Sequence, residues 1–186
     1  KINPDRNSDP VIAILRLPHI SNFNEFEPLR QIRGITVSYL ERLQELARFQ
    51  AVILPGSKNT RSDLDWLRTT GWAQELAAYA SGGGHLLGIC GGYQMMGLAV
   101  HDPDGIEGVP GSSDGLGLLP VETTLMAPKT TSLTLFLWGT SEGLGYEIHM
   151  GKTDGSGGDP LLEITSRNRV PVADTDGCIT KEGRIM

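Results

Sequence analysis

The segment "GHLLGICGGYQMMG" at residues 84–97 places an apolar run of strand length directly before a cysteine among glycines, with a second apolar stretch behind it. Cys90 therefore stands where a strand gives way to a helix, with Gly88 and Gly92 two positions away on either side. A turn this sharp crowds those two positions, and only small side chains fit there. The segment predicts a strand–turn–helix unit with Cys90 on the turn.

The spacing Gly-x-Cys-x-Gly has the form of a nucleophile elbow in which sulfur replaces the usual hydroxyl oxygen. A helix that begins just after the cysteine points its free N–H groups at the sulfur, which favours the reactive thiolate. The N–H of Gly91 is also placed to donate to an oxyanion. The alternative is a small, inert core residue beside a tight turn, and the residues alone leave both interpretations open.

The first half of the chain alternates apolar runs of strand length with segments of helical spacing. A sheet whose strands are apolar along both faces is mostly parallel and covered by helices on both sides. This half therefore predicts an α/β layered fold. Strands are predicted at residues 11–17, 35–40, 51–54 and 84–89, and helices at 41–49, 62–68, 72–80 and 93–100.

The second half has a different pattern, with strand candidates at residues 117–125, 132–138 and 144–150 and few helical signals. These candidates predict antiparallel hairpins appended to the parallel sheet. The composition of "GKTDGSGGDP" at residues 151–160 predicts a flexible surface loop.

A second turn, "ILPGSKN" at residues 53–59, leaves a predicted strand through Pro55 and Gly56 and enters a predicted helix. The carboxyl ends of parallel strands meet at one edge of a sheet, where sites form. The N–H groups around Gly56 and Ser57 could therefore supply the other half of an oxyanion hole beside Cys90. A simpler interpretation is a loop that ends in a helix cap at Asn59 or Thr60.

Charge and composition argue against several classes of partner. The formal charge of −6 and the absence of a basic run argue against nucleic acid or an anionic membrane as a partner. No apolar stretch approaches the roughly 20 residues that span a bilayer. Two cysteines make no disulfide framework, which favours a reducing, cytoplasmic setting. We expect one domain over residues 1–186, without a metal site.

Five segments of the chain match one known family, and they lie at residues 16–29, 53–68, 83–97, 114–123 and 145–151. Together they resemble the class I glutamine amidotransferase domain of cobyric acid synthases, which has a flavodoxin-like three-layer fold. The cysteine segment alone would fit many class I amidotransferases, whereas the first two segments and the last resemble this branch in particular.

The resemblance implies a chemistry and a set of partners. Cys90 would attack the side-chain amide of glutamine, release ammonia and form a thioester that water hydrolyses, while Gly56, Ser57 and Gly91 would hold the oxyanion and the glutamine. The ammonia would pass to an N-terminal domain that uses ATP and magnesium to amidate a corrinoid, adenosylcobyrinic acid a,c-diamide. We expect that domain and its ATP, magnesium and corrinoid sites to lie outside these 186 residues, and this domain to need no cofactor.

The general base is less clear from the sequence. His149 is a tentative candidate, because Glu147 lies two residues before it on the same face of a predicted strand. The resemblance places the catalytic histidine in a later motif, Gly-Thr-Tyr-x-His-Gly, which follows a stretch like "EGRIM". We therefore expect that histidine beyond Met186, in a chain shortened at its C-terminal end. His19 is assigned no role.

Two alternatives to this function remain at this point. One is the glutaminase subunit of a ligase that amidates the cell-wall precursor lipid II, which shares the cysteine elbow and the late histidine. The other is a non-catalytic docking domain.

Overall fold

A four-stranded parallel sheet forms the centre of the molecule in the computed structural model, which describes residues 9–155 and 157–186. The order β2-β1-β3-β4 is that of flavodoxin-like folds. Residues 184–186 run parallel to the outer edge of the sheet, where the N–H of Gly88 donates to the carbonyl of Met186 at 2.7 Å. The strands are β1 (Val11–Leu15), β2 (Thr36–Leu40), β3 (Ala51–Leu54) and β4 (His85–Gly88).

Helices cover both faces of this sheet, as predicted, but one layer is thin. One face packs into the main core with the apolar sides of two ten-residue helices, including Leu64 and Leu76. On the other face, Ile14 and Ile53 pack against Phe26, which belongs to a short 3-10 turn at Asn24–Phe26. The helices are α1 (Glu27–Arg30), α2 (Thr60–Thr69), α3 (Trp72–Ser81) and α4 (Gly91–Met96).

The helix predicted at residues 41–49 is wrong, because this stretch is an irregular connection between β2 and β3. A helix would have placed Leu43 and Leu46 on one buried face. Instead Leu46 and Phe49 are buried while Leu43 is exposed. The carboxylate of Glu75 on α3 accepts a hydrogen bond from the backbone N–H of Leu46 at 2.7 Å. A tertiary contact therefore satisfies backbone that helical hydrogen bonds would otherwise satisfy.

The second half forms two further four-stranded sheets, and the predicted antiparallel addition is confirmed. The mixed sheet has the order β10-β7-β5-β6, and only its β5–β7 pair is parallel. The other sheet is antiparallel throughout, in the order β12-β11-β8-β9. The strands are β5 (Ala99–Asp102), β6 (Gly111–Asp114), β7 (Val121–Thr124), β8 (Thr130–Trp138), β9 (Ser141–His149), β10 (Lys152–Gly155), β11 (Leu162–Arg167) and β12 (Val170–Asp176).

Two local predictions in this region are corrected. Residues 152–155, predicted as part of a flexible loop, form strand β10, because β7 offers a free edge with which they pair antiparallel. The helix predicted at residues 93–100 ends at Met96, and Ala99 already begins β5. Within the described ranges, no helix is long and apolar enough to cross a membrane. In the same ranges, no cluster of three or more His, Cys, Asp or Glu side chains could hold a metal ion.

Candidate active site

Cys90 lies on the turn between β4 and α4, as predicted, and its backbone is strained. Its φ of 50° and ψ of −115° fall in a backbone region that residues other than glycine rarely adopt. A Cβ on Gly92 would overlap the carbonyl oxygen of Leu54, and one on Gly88 would lie 2.7 Å from the backbone nitrogen of Tyr93. The predicted reason for the Gly-x-Cys-x-Gly spacing is therefore confirmed, since no larger side chain fits at either glycine.

The Gly56–Ser57 turn lies against this elbow. Leu54 at the end of β3 pairs with Gly88 at the end of β4, so that the two strands leave the sheet side by side. A Cβ placed on Gly91 would be 2.8 Å from the backbone nitrogen of Ser57, and one on Gly56 would be 3.6 Å from the Cβ of Cys90. The structure thus brings together all four of the residues proposed as nucleophile and oxyanion donors. Their chemical roles stay predictions.

The surroundings of the Cys90 thiol favour its neutral form, contrary to the expectation from the helix N-terminus. Although Cys90 is exposed, the loss of solvation around the thiol raises its pKa above the ordinary value. The backbone N–H of Gly91 lowers the pKa, but it does not outweigh burial. The charges of Glu25 and Glu107 raise the pKa further, and that of Lys129 lowers it. The thiol is also placed to donate to the carbonyl oxygen of Ile148 at 3.7 Å, which a thiolate cannot do.

His149 lies at the end of β9, in the wall of the same cleft as Cys90. Its Nε2 is 3.1 Å from Glu147 Oε1, which confirms that the two side chains share a face of the strand. Its Nδ1 is 3.0 Å from the carbonyl oxygen of Gly151. Both ring nitrogens therefore face hydrogen-bond acceptors. The ring can accept the Cys90 proton only after one of these contacts is broken.

The sequence pattern did not single out the network around Glu147, which forms part of the cleft wall. Glu147 accepts hydrogen bonds from Arg167 Nε at 2.6 Å and from Ser132 and Thr134 at 3.3 and 3.4 Å. Burial alone would raise the pKa of Glu147, but the hydrogen bonds from Arg167 and His149 lower it below its ordinary value. An anionic carboxylate thus ties β9 to β8 and β11.

The cleft beside Cys90 has a volume of about 560 Å³. Its wall combines residues of the parallel sheet with Arg167 and Asp174 of the antiparallel sheet and Lys152 of the mixed sheet. A cleft of this size is within the range of small-molecule sites in proteins. The sequence indicated the elbow side of this cleft and His149 with Glu147. It did not indicate the rest of the wall, which comes from segments more than 50 residues away from the elbow.

The sequence pattern also missed Asp63, a fully buried carboxylate in the first turn of α2. It accepts hydrogen bonds from the Ser57 hydroxyl at 2.6 Å and from His19 Nδ1 at 2.8 Å. An acidic residue in the first turn of a helix is an ordinary feature, and its link to His19 spans 44 residues. Nothing local in the sequence could have indicated that link.

Comparison with known proteins agrees with this fold and places the chain in a family. Residues 11–186 match the family described as the CobB/CobQ-like glutamine amidotransferase domain. The chain is 45% identical over 178 residues to a cobyric acid synthase of Chlorobium phaeobacteroides strain DSM 266 and 44% identical over 180 residues to one of Chloroflexus aggregans. Each match covers 94% of this chain but only 35% and 36%, respectively, of those relatives.

Solved structures support the predicted class I amidotransferase-like fold. PurLQS from Thermotoga maritima superposes with a TM-score of 0.68 at 17% identity, covering 95% of this chain and 84% of that one. A structure described as a glutamine amidotransferase gives a TM-score of 0.63 at 18% identity, covering 94% and 86%. At these identities the likeness concerns the fold alone, whereas the family match rests on the sequence: the chain belongs to the CobB/CobQ-like glutamine amidotransferase domain family.

Proposed function

We propose that this chain is the glutamine-hydrolysing domain of a cobyric acid synthase, with Cys90 as the nucleophile. The observation that carries the proposal is the contact between the two turns, which sets the N–H groups of Gly91 and Ser57 beside a cysteine on a strained elbow. Relatives more than 40% identical that bear this name support the choice of enzyme. The relatives are named cobyric acid synthases, which argues against the alternative of a cell-wall ligase subunit. A cysteine on a strained elbow argues against the alternative of a non-catalytic docking domain.

In the proposed reaction, the Cys90 sulfur attacks the side-chain carbonyl carbon of glutamine after the thiol has lost its proton to a base. The carbonyl electrons move onto oxygen, and the N–H groups of Gly91 and Ser57 donate to that oxyanion. The C–N bond then breaks and the nitrogen leaves as ammonia, taking up the proton that the base holds. Water attacks the resulting thioester, glutamate departs and the thiol is restored.

The identity of the base is part of the proposal. The ring of His149 contacts Glu147 through Nε2 and the Gly151 carbonyl through Nδ1, which favours a role in shaping the cleft. The resemblance to cobyric acid synthases supports a histidine of the Gly-Thr-Tyr-x-His-Gly motif as the base. In the same proposal, the chain is part of a longer cytoplasmic enzyme, and the released ammonia passes to its amidating domain. That domain uses ATP and magnesium and binds the corrinoid.

The test uses the longer enzyme and the variant Cys90→Ala, with Cys178→Ala as the matched control. Cys90→Ala should abolish corrinoid amidation driven by glutamine and leave amidation driven by added ammonia unchanged, because the thiol serves only glutamine hydrolysis. Cys178→Ala should retain both activities. If Cys90→Ala removed both activities together, or retained the glutamine-driven one, Cys90 would not be the nucleophile.

A further inference from the structure

The Gly56–Ser57 turn is fastened from behind by the buried carboxylate of Asp63. One carboxylate oxygen accepts from the Ser57 hydroxyl at 2.6 Å. The other accepts from the backbone N–H of His19 at 3.3 Å and from its ring Nδ1 at 2.8 Å. A carboxylate with no solvent exposure is stable only where such donors satisfy it, so that this cluster is held as a unit.

Backbone hydrogen bonds clamp the same turn on both sides of Ser57. The N–H of Ser21 donates to the carbonyl of Gly56, and the N–H of Lys58 donates to the carbonyl of His19, each at 2.8 Å. The loop that carries His19 thus pairs with the turn as a short antiparallel bridge. Displacing His19 would therefore move the turn.

The hydroxyl of Ser57 is hydrogen-bonded within the protein, whereas its backbone N–H is not. The hydroxyl donates to Asp63 and accepts from the N–H of Asn59 at 2.9 Å, so that its position is fixed. Within residues 9–155 and 157–186, no hydrogen bond takes up the backbone N–H of Ser57. The Ser57 nitrogen lies close to Gly91, since a Cβ placed on Gly91 would be 2.8 Å from it. The contacts that fix the turn thus leave this donor free beside the elbow, and among the described residues the N–H of Gly56 has no hydrogen-bond acceptor either.

We propose that His19 and Asp63 are positioning residues that aim the Ser57 N–H at the oxyanion. The inference rests on the proposed function, because it takes Cys90 as the nucleophile. Neither side chain needs to touch glutamine. They act through the turn, since a displacement of about 1 Å in a catalytic donor can cost roughly 100-fold in rate.

The test compares two electrophiles on the full 186-residue chain at one pH. A chloromethyl ketone analogue of glutamine forms an oxyanion when the Cys90 sulfur adds to its ketone, before the sulfur displaces chloride. Iodoacetamide loses iodide in a direct displacement that creates no oxyanion. The ratio of the two alkylation rates therefore measures the oxyanion donors separately from the reactivity of the thiol.

The variants His19→Ala and Asp63→Asn should lower the rate with the ketone about 10- to 100-fold and change the iodoacetamide rate less than about twofold. His19→Asn, which can place an amide N–H near the position of Nδ1, should restore most of the rate. The matched control is His101→Ala, which removes a histidine paired with a different carboxylate, that of Glu122. It should leave both rates unchanged.

Other outcomes overturn the inference in distinguishable ways. The wild-type chain should be alkylated faster by the ketone than by iodoacetamide, and added glutamine should slow the reaction with the ketone. If it shows neither effect, the proposed function fails and the inference fails with it. If the wild type shows that preference and the variants keep it, only the inference fails. If both rates fall together, His19 and Asp63 serve folding alone. Should these variants not fold, Ser57→Ala cuts the same link, and an unchanged rate ratio there also overturns the inference.

Discussion

At the scale of single residues, the local backbone at Cys90 determines what the site can do. The strained φ and ψ at this cysteine exist only because Gly88 and Gly92 leave room for the neighbouring backbone. The groups around the thiol remove solvent from it, which raises its pKa. The elbow therefore presents the sulfur well but does not by itself ionise it, and a base has to remove the proton.

The raised pKa of Cys90 predicts how alkylation depends on pH. The thiolate reacts and the thiol does not, so the rate of iodoacetamide alkylation at Cys90 should still be rising above pH 9, the ordinary value for a cysteine. Mass spectrometry of the Cys178→Ala variant over a pH series measures this rate at Cys90 alone. A rate that levels off well below pH 9 would contradict the raised pKa.

Replacing Gly92 by alanine should disrupt the elbow. The added Cβ would overlap the carbonyl oxygen of Leu54, a backbone atom that cannot move without disturbing β3, and overpacking of this kind costs about 1–3 kcal/mol. Denaturant unfolding should show a loss in this range. Gly145→Ala is the matched control, because its Cβ would lie 3.4 Å from a carbon of the Phe136 ring, an ordinary contact. Equal stability of the two variants would mean that the steric account of Gly92 is wrong.

At the scale of helices and strands, the sequence predicted those elements whose causes are local. The strand before Cys90 follows from sterics within a few residues. So does the separation of the helices predicted at 62–68 and 72–80, because Gly71 between them has a φ of +87°. The non-helical connection at residues 41–50 and strand β10 depend instead on partners far along the chain, Glu75 and β7. The same distinction applies to the site, where the elbow was predictable and the His19–Asp63 link was not.

The antiparallel sheet depends on Glu147 in a way that should vary with pH. Its pKa is lowered in the folded chain, so its contribution to stability is present above its unfolded value of about 4.5 and is lost as pH falls through the lower folded value. Glu147→Gln should therefore reduce the free energy of unfolding by about 2 kcal/mol at pH 7 and by much less at pH 3.

Chemical denaturation at the two pH values measures this difference. The control is Glu163→Gln, which changes an exposed glutamate on the neighbouring strand β11 and should have little effect at either pH. A Glu147→Gln penalty that is as large at pH 3 as at pH 7 would show that the carboxylate charge does not stabilise the sheet.

At the scale of the whole molecule, Cys90 lies where two sheets meet. The parallel sheet supplies the elbow and the Ser57 turn, while β9 of the antiparallel sheet brings the Ile148 carbonyl and His149 to the other side. The thiol is thus flanked by elements from both halves of the chain. This arrangement leaves a cleft that the proposed function assigns to glutamine. Among the described residues, the one histidine on its wall is His149, and both of its ring nitrogens already face hydrogen-bond acceptors.

The 186-residue chain should hydrolyse glutamine more slowly than the longer cobyric acid synthase proposed above. His149 is held by Glu147 and Gly151, and the expected base belongs to the later Gly-Thr-Tyr-x-His-Gly motif. General base catalysis contributes roughly 10²- to 10⁴-fold, so the short chain should release glutamate slower by a factor in this range. A coupled glutamate assay on both proteins, each with and without His149→Ala, measures the difference. If the short chain released glutamate as fast as the longer one, and His149→Ala abolished the activity of both, His149 would be the base. Its ring would then have to leave Glu147 or Gly151 during turnover.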